Sequence, residues 1–250
     1  GFAEYEQALN TVNCDIRYYE LSKERGFLLG EEYLESLQQD LDIVFLCNPN
    51  NPTGFLIPTE LLKKIVDICK EKQIFLVLDE CFLEFVSDEL MNPQKKLLKE
   101  MPSLFILKAF TKMYGMPGLR LGYGLCSDIP LLEQMHQMTQ PWNVSVPAQF
   151  AGIAACEEDA FVEQTRVYIK NERMFLAEAL RALHFTVYDS QANYLFFEAP
   201  KDLYDICNKE GILIRDCSNY RGLTQGYYRI AVKTRTENEE LIKVLLKYYN

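Results

Sequence analysis

The sequence lacks long apolar runs and clusters of basic residues. Its apolar runs, such as residues 74–78 and 104–107, are far shorter than the roughly 20 residues needed to cross a bilayer. The formal net charge is -10, and the Lys and Arg residues are dispersed, which argues against a surface for nucleic-acid phosphates. We therefore expect a folded globular protein with neither a membrane nor a nucleic acid as partner.

The eight cysteines also lack the close spacing of a binding site, since no two of them stand as C-x-x-C. This spacing predicts neither a disulfide framework nor a zinc site, and no other metal is expected. Free thiols inside apolar segments behave as small hydrophobes, which suits a reducing cytoplasm. No signal peptide is visible, although the sequence opens at Gly1 rather than Met, so a preceding segment would be the place for one.

Short β-rich runs alternate with helical patterns in the first part of the chain. This alternation predicts an α/β fold with a mainly parallel sheet covered on both faces. Functional residues are then expected where strands end. The predicted strands are residues 15–19, 42–46, 74–78, 104–107 and 120–125, and the predicted helices are residues 59–72 and 88–100.

After Pro147 the pattern changes to two helices, residues 148–156 and 157–183. The second is long and charged, without Gly or Pro, and a helix of that length usually joins domains. We therefore divide the chain into a large α/β domain, residues 1–156, and an interdomain helix with a small α+β domain, residues 157–250. The remaining predicted strands are residues 186–188, 194–198, 212–215 and 228–232, and the remaining helices are residues 201–209 and 237–249.

Polar groups follow two of the predicted strands. The turn N-P-N-N-P-T-G at residues 48–54 has two prolines that fix the backbone, and Gly54 permits an unusual dihedral, which leaves Asn side chains available. Asp79 closes an apolar strand, where a carboxylate is costly to bury without a compensating partner. Taken singly, each feature also fits an ordinary loop or a capping residue.

Lys112 is the candidate nucleophile. It follows Thr111 in the loop after the strand at residues 104–107 and precedes P-G-L-R-L-G-Y at residues 117–123. A nucleophilic lysine needs partial desolvation and a neighbouring cation, which Arg120 would supply. The alternatives are that Lys112 is a solvated surface lysine, or that Lys108 is the nucleophile, although Lys108 lies in or against the strand without a hydroxyl neighbour.

Arg229 interrupts a strand that otherwise reads as buried, in Y-R-I-A-V at residues 228–232. A buried arginine needs an anionic partner, and the carboxylate of a bound ligand could bind it in a bidentate manner. An Asp or Glu of the chain itself is the alternative partner. A second polar run, R-D-C-S-N-Y-R-G, contains Arg215 and Arg221.

The order and spacing of these features resemble the fold-type-I pyridoxal-phosphate enzymes of the class I and II aminotransferase family. Within it, the chain resembles the branch of histidinol-phosphate aminotransferase and L-threonine-O-3-phosphate decarboxylase. The turn at residues 48–54, L-D-E, T-K before G-L-R-L-G-Y, and Y-R-I-A-V carry this resemblance, which spans residues 1–250. It implies the aspartate aminotransferase fold, pyridoxal 5'-phosphate as cofactor in the large domain, and a homodimer.

The resemblance also implies roles for individual residues. Lys112 matches the lysine that bonds to the cofactor aldehyde and later moves protons at the substrate α-carbon. Asp79 matches the acid that keeps the pyridine nitrogen protonated. Asn51 matches the residue that hydrogen-bonds the phenolic oxygen, with a cis bond before Pro52.

Further residues are assigned to the phosphate, the substrate and the ring. Thr111 and Arg120 match groups that hold the cofactor phosphate. Arg229 matches the arginine that grips the substrate α-carboxylate, and Phe2, in G-F-A-E-Y, fits the aromatic that stacks on the pyridine ring. Arg215, with Arg221 as a second candidate, would recognise the substrate phosphate or carboxylate.

Two departures from the family pattern guide the functional hypotheses. Phe82 stands where many relatives carry Tyr, which together with P-W-N-V-S-V at residues 141–146 favours a threonine-phosphate decarboxylase of cobalamin biosynthesis. Family members also carry roughly a hundred more residues at the N-terminus, so we expect the N-terminal part of the large domain, with its phosphate-binding loop, to be missing. The alternatives are a histidinol-phosphate-type aminotransferase and a truncated, catalytically impaired fragment.

Overall fold

A computed structural model describes residues 1–87, Leu90 and residues 94–249. They form two four-stranded sheets with helices packed against them. The first sheet contains β1 (Ile43–Cys47), β2 (Phe75–Asp79), β3 (Leu104–Ala109) and β4 (Gly122–Leu125). The second contains β5 (Thr186–Tyr188), β6 (Tyr194–Glu198), β7 (Arg215–Asp216) and β8 (Tyr227–Ala231). The α-helices among these residues are α1 (Ala3–Thr11), α2 (Thr59–Glu71), α3 (Phe110–Met113), α4 (Ile129–Met138), α5 (Val146–Ala155), α6 (Asp159–Ala182), α7 (Leu203–Lys209) and α8 (Arg235–Tyr249).

The first sheet has the order β1-β2-β3-β4, and its first three strands are parallel. The antiparallel β4 lies beside β3 at the edge. In this register Cys47 is opposite Asp79, and Asp79 is opposite Leu107. Because parallel strands end at the same edge, the polar residues that follow β1, β2 and β3 are brought together there.

Helix α2 covers one face of this sheet because its apolar residues recur at helical spacing. Pro58 precedes the helix, and its polar residues face away from the core. The buried positions pack against β2 and β3 in one continuous core. They are Leu61, Leu62, Ile65, Val66 and Cys69.

The second sheet is antiparallel, in the order β5-β6-β8-β7. One face packs against α6 and α8 through a core that includes Leu195, Phe197 and Ile230. Successive residues of a strand point to opposite faces, so Tyr194 and Arg229 lie on the other face. That face therefore presents its polar groups to the turn at residues 48–54.

Helix α6 connects the two sheets and is 24 residues long, which corresponds to about 36 Å. Its buried Glu172 accepts hydrogen bonds from Arg235 Nε and Nη2 and from Asn238 Nδ2 at 2.8–3.1 Å. The Arg235 guanidinium also lies 3.6 Å from the centre of the Phe175 ring. These contacts fasten the beginning of α8 to the middle of α6.

The α/β fold and most of the predicted elements are confirmed, with boundaries that agree or differ by at most two residues. The strand predicted at residues 15–19 is wrong. That segment pairs with no strand in the part of the chain that the structure describes, and is held by side chains such as Arg17, which binds Asp40 at 2.7 Å. The residue types of this segment indicated an extended backbone, but they do not show whether a neighbouring strand is available for pairing.

Two other predictions need correction or fall partly outside the structure. The strand predicted at residues 212–215 has the wrong boundaries, because the strand that pairs with β8 is Arg215–Asp216. The helix predicted at residues 88–100 includes residues 88, 89 and 91–93, which lie outside the described residues; residues 94–97 form a 3-10 turn. Within the described ranges, no helix has the length and apolar character of a membrane span.

Candidate functional site

Asp79 lies at the carboxyl end of β2 with 9% of its surface exposed. Its Oδ1 accepts a hydrogen bond from the Cys81 main-chain N–H at 3.0 Å, and its Oδ2 accepts one from the Tyr5 hydroxyl. The Tyr5 ring stacks on Phe45 with the ring centres 5.2 Å apart. Burial, together with the nearby Cys47 and Asp79, raises the pKa of Tyr5 far above its ordinary value, so Tyr5 is a neutral donor.

The turn at residues 48–54 is held by its own hydrogen bonds. Asn48 Oδ1 accepts from the Ile57 N–H at 2.9 Å, and the Gly54 N–H donates to the Asn50 carbonyl at 2.7 Å. Gly54 has a φ of +76°. The Asn51–Pro52 bond is cis, as predicted, and the Asn48–Pro49 bond is cis as well.

Asn51 is the point at which the turn meets the second sheet. Its side chain is buried, and its Oδ1 accepts hydrogen bonds from the Tyr220 hydroxyl at 3.2 Å and from Arg229 Nη1. Its Nδ2 donates to no residue within the described parts of the chain. The carboxamide is thus anchored through its oxygen and keeps a donor for another group.

Tyr194 joins the same turn to the second sheet. Its hydroxyl donates to the Asn50 carbonyl at 2.8 Å. The Arg229 guanidinium lies 5.1 Å from the centre of its ring, and Phe82 packs edge-on at 5.1 Å. A buried aromatic ring thus supports both the guanidinium and the segment that follows Asp79.

Lys112 lies in the short helix α3, directly after β3, and its side chain is exposed. Its Nζ is 5.6 Å from the centre of the Phe82 ring. Phe82 follows Asp79 by three residues and contacts Tyr194, whose ring in turn contacts the Arg229 guanidinium. That Lys112, Asp79, Asn51 and Arg229 form one site stays a prediction.

Lys108 occupies a different environment from Lys112. It lies within β3, and its Nζ is 3.5 Å from Oε2 of Glu80, whose side chain is 1% exposed. Removing either partner would leave a charge with little access to water. The ion pair gives Lys108 a structural role and leaves Lys112 as the better candidate nucleophile.

Thr111 and Arg120 are in neighbouring segments without a direct contact between their side chains. The Phe110 N–H donates to the Leu121 carbonyl at 3.2 Å, which places the beginning of α3 beside Arg120. Arg120 is exposed, and its Nη1 donates to the Pro117 carbonyl at 3.0 Å.

Phe2 and Arg221 both contact residues of the first 20 positions, and their predicted roles stay predictions. Phe2 is 50% exposed, and its ring meets that of Tyr5 edge-on at 6.0 Å, so Tyr5 rather than Phe2 reaches Asp79. Arg221 forms an ion pair with Glu6 at 3.0 Å and lies over the ring of Tyr18. Its charge is therefore already matched.

Arg215 lies directly opposite Arg229 in the pairing of β7 with β8. Residues that face each other across antiparallel strands lie on the same face of the sheet, so two guanidinium groups share this face. Arg215 Nη2 donates to Asn219 Oδ1 at 3.0 Å, and no carboxylate pairs with Arg215 among the described residues.

Three tyrosines were missed by the sequence analysis: Tyr5, Tyr194 and Tyr220. Tyr5 is the last residue of G-F-A-E-Y, and Tyr220 belongs to the run that begins at Arg215. Both lay inside motifs that had been recognised for other residues. Tyr194 read only as the first residue of an apolar strand, and nothing in that pattern indicates its hydroxyl contact.

The cysteines near the site are protonated thiols at neutral pH. Burial raises the pKa of Cys47 to about 12, with the Asp79 charge as a further cause. Burial also raises the pKa of Cys217 to about 11 and that of Cys81 above its ordinary value. Since the thiolate is the nucleophile, these three residues are expected to react slowly.

The model of the family described as aminotransferase class I and II matches residues 1–245. The chain belongs to this family. It is 39% identical to threonine-phosphate decarboxylase of Salmonella typhimurium, over 98% of this chain and 68% of that protein. It is 33% identical to histidinol-phosphate aminotransferase of Methanosphaera stadtmanae, over 98% of this chain and 66% of that protein. The chain thus spans about two thirds of the length of these relatives.

A solved structure supports the same fold assignment. The histidinol-phosphate aminotransferase of Clostridium acetobutylicum superposes with a TM-score of 0.92 at 30% identity, covering 100% of this chain and 75% of that one. The fold is that of the aspartate aminotransferases, and the family consists of enzymes that use pyridoxal 5'-phosphate, among them decarboxylases and aminotransferases.

The donor set at the carboxyl edge fits this cofactor. A carboxylate at Asp79 suits a protonated ring nitrogen, the unpaired amide donor of Asn51 suits a phenolate oxygen, and the amine of Lys112 suits an aldehyde. Each of these groups stands at or after the carboxyl end of a different strand among the three parallel ones.

Proposed function

We propose that this chain carries out the pyridoxal-phosphate-dependent decarboxylation of L-threonine O-3-phosphate, a step of cobalamin biosynthesis. The observation that carries the proposal is the pair of arginines on one sheet face. Arg229 is anchored to the site through Asn51, and Arg215 lies directly opposite it without a carboxylate partner among the described residues. A substrate with both a carboxylate and a phosphate needs two such cations. The 39% identity to a threonine-phosphate decarboxylase supports this choice.

In this proposal each residue acts on a stated atom. Bound pyridoxal phosphate supplies a protonated ring that accepts the electron pair released at the substrate α-carbon. Asp79 holds the proton at the ring nitrogen, and Asn51 Nδ2 donates to the phenolic oxygen. Arg229 binds the α-carboxylate and fixes the orientation of the bond that breaks.

Lys112 has two tasks, both at its Nζ atom. It would hold the cofactor at its aldehyde carbon until the substrate amino group takes its place, which frees Nζ as an amine. Once the bond between the α-carbon and the carboxylate has broken and carbon dioxide has left, the protonated Nζ would deliver a proton to the α-carbon. Thr111, within α3, and Arg120 would hold the cofactor phosphate, and Phe2 would stack on the pyridine ring.

Histidinol-phosphate-type amino transfer is the second candidate, favoured by the TM-score of 0.92 to an enzyme of that name. It would use the same residues, but Lys112 would remove the α-proton instead. The deciding experiment incubates the cofactor-loaded protein with L-threonine O-3-phosphate. Release of carbon dioxide without an amino acceptor supports decarboxylation, whereas amino transfer that requires 2-oxoglutarate supports the second candidate.

The covalent role of Lys112 has an independent test. Borohydride reduction of the cofactor-loaded protein, followed by peptide mapping, is expected to place the modification on Lys112. Lys108 is the built-in control because it lies four residues away but is paired with Glu80. Modification of Lys108, or none at all, would contradict the proposed site.

The role of Arg215 can be tested against a nearby arginine. Arg215→Gln removes one charge-assisted contact, so KM for the phosphorylated substrate is expected to rise roughly 10- to 100-fold. Arg221→Gln is the matched control, because its guanidinium already binds Glu6. Equal effects of the two substitutions would argue against Arg215 as the phosphate ligand.

We also propose that residues 1–156 act as the cofactor-binding domain and residues 157–250 as the small domain. A further proposal is that the chain forms a homodimer through the surface of α4 and α5. The proposed interface carries apolar side chains that are more than half exposed, a pattern that marks protein interaction surfaces. They are Ile129, Met138, Trp142, Val146, Phe150 and Ile153. Sedimentation at increasing protein concentration tests this proposal, and a monomer at all concentrations would contradict it.

A further inference from the structure

Tyr220 contacts Asn51 across a sequence separation of 169 residues. Its hydroxyl lies 3.2 Å from Asn51 Oδ1, and its ring lies 5.9 Å from the guanidinium carbon of Arg215. Burial raises the pKa of Tyr220 above its ordinary value, so the hydroxyl keeps its proton and remains a donor. Tyr220 is thus a donor fixed at the point where the second sheet meets the turn.

The contacts of Asn51 determine which way its carboxamide faces. Arg229 has only N–H donors, so the Asn51 atom that it binds must be the oxygen. The Tyr220 hydroxyl is a second donor to the same atom, and together they occupy the two lone pairs of the oxygen. The amide nitrogen then faces away from both of them.

The two donors to Asn51 Oδ1, Arg229 and Tyr220, differ in their other proposed roles. Arg229 is the proposed ligand of the substrate carboxylate, so its N–H groups are drawn toward that anion when substrate binds. Tyr220 is not itself a proposed ligand of the substrate, although its side chain also contacts Arg215. In addition, Phe82 carries no hydroxyl, so no tyrosine at that position shares the phenolic oxygen with Asn51.

We propose that Tyr220 is a positioning residue that holds the Asn51 carboxamide with its Nδ2 turned toward the cofactor, including when Arg229 engages the substrate. This inference rests on the proposed roles of Asn51 and Arg229. Donation to Oδ1 also polarises the carboxamide and strengthens its N–H groups as donors.

The test compares two hydroxyl deletions. Tyr220→Phe is expected to weaken cofactor binding roughly two- to tenfold and to shift the visible absorbance of the bound cofactor. Tyr228→Phe is the matched control: it deletes a hydroxyl of the same sheet that binds the Pro200 and Lys201 main-chain carbonyls, neither of which belongs to the turn. This control is expected to lower the unfolding midpoint while leaving the cofactor absorbance as in the parent.

A double-mutant cycle with Asn51→Ala makes the test sharper. If Tyr220 acts through Asn51, Tyr220→Phe changes the cofactor dissociation constant in the parent chain but has no further effect on Asn51→Ala. Additive effects, or a Tyr220→Phe variant with the dissociation constant and absorbance of the parent, would overturn the inference alone. A parent chain that develops no cofactor absorbance band would overturn the proposed function as well.

Discussion

Replacing Gly54 with alanine should destabilise the turn that carries Asn51. A Cβ atom at this position would lie 1.9 Å from Ser190 Oγ, 2.5 Å from Ser190 Cβ and 3.0 Å from Ser190 Cα. A rotamer change moves only the first of these atoms, because the Cβ and Cα atoms belong to the fixed part of the chain. The backbone or the segment around Ser190 must therefore shift.

The expected cost has two parts. A left-handed backbone at a non-glycine residue costs about 1–2 kcal/mol, and Gly54 has a φ of +76°. Overpacking of a well-filled site adds roughly 1–3 kcal/mol. Gly54→Ala should thus lower the free energy of unfolding by about 2–5 kcal/mol.

Gly211→Ala separates the two parts because Gly211 has a similar φ of +80° and no neighbouring atom within 4 Å of the position that an alanine Cβ would take. It should cost only the backbone part, about 1–2 kcal/mol. Urea unfolding followed by far-ultraviolet circular dichroism measures both variants. Ser190→Gly combined with Gly54→Ala should recover part of the overpacking cost, because it removes the two closest atoms.

Equal losses in Gly54→Ala and Gly211→Ala would refute the packing argument. A further consequence concerns the site, since the Gly54 N–H binds the Asn50 carbonyl and the Gly54 carbonyl binds the Gln191 N–H. The cofactor dissociation constant should therefore rise in Gly54→Ala and remain unchanged in Gly211→Ala.

Three other predictions follow from buried and exposed groups. Glu172→Gln should lower the free energy of unfolding by roughly 1–3 kcal/mol at neutral pH, because it breaks the ion pair between the buried Glu172 carboxylate and the partly exposed Arg235. Burial opposes ionisation of Glu172, but its hydrogen bonds to Arg235 and Asn238 keep its pKa below the ordinary 4.5. The difference in unfolding free energy between parent and variant should therefore be complete above pH 4.5. It should decrease in urea titrations at more acidic pH. In the native protein a thiol reagent should label the exposed Cys14 quickly and Cys47 slowly, since Cys47 has a pKa of about 12; equal rates would contradict this. Trp142, the single tryptophan, should shift its fluorescence to shorter wavelength as protein concentration rises if the proposed dimer covers it, and an unchanged spectrum would count against that interface.

The functional proposals depend on residues that two strand ends and one turn bring together. Asp79 and Lys112 follow adjacent parallel strands, while Asn51 receives Arg229 from the second sheet. In these proposals substrate choice depends on the arginines of β7 and β8, which lie on the face that meets the turn. A change in the contact between the two sheets should therefore affect substrate binding more than the linkage at Lys112.

The amino-acid sequence by itself determined the local elements and the type of fold. Continuous apolar runs bounded by polar turns predicted β1, β2 and β3, and helical spacing of apolar residues predicted α2 and α6, because burial of side chains follows these short periods. The motifs also predict, from their order along the chain, that Asn51, Asp79, Lys112 and Arg229 belong to one site.

Only the tertiary structure decided which side chains meet. The contacts of Tyr5 with Asp79, of Tyr194 with Asn50 and of Tyr220 with Asn51 join residues 74, 144 and 169 positions apart. The tertiary structure also left residues 15–19 without a partner strand. Hydrogen bonds between distant residues depend on sheet order and on the distance between the two sheets, and neither quantity is encoded in a local pattern of residue types.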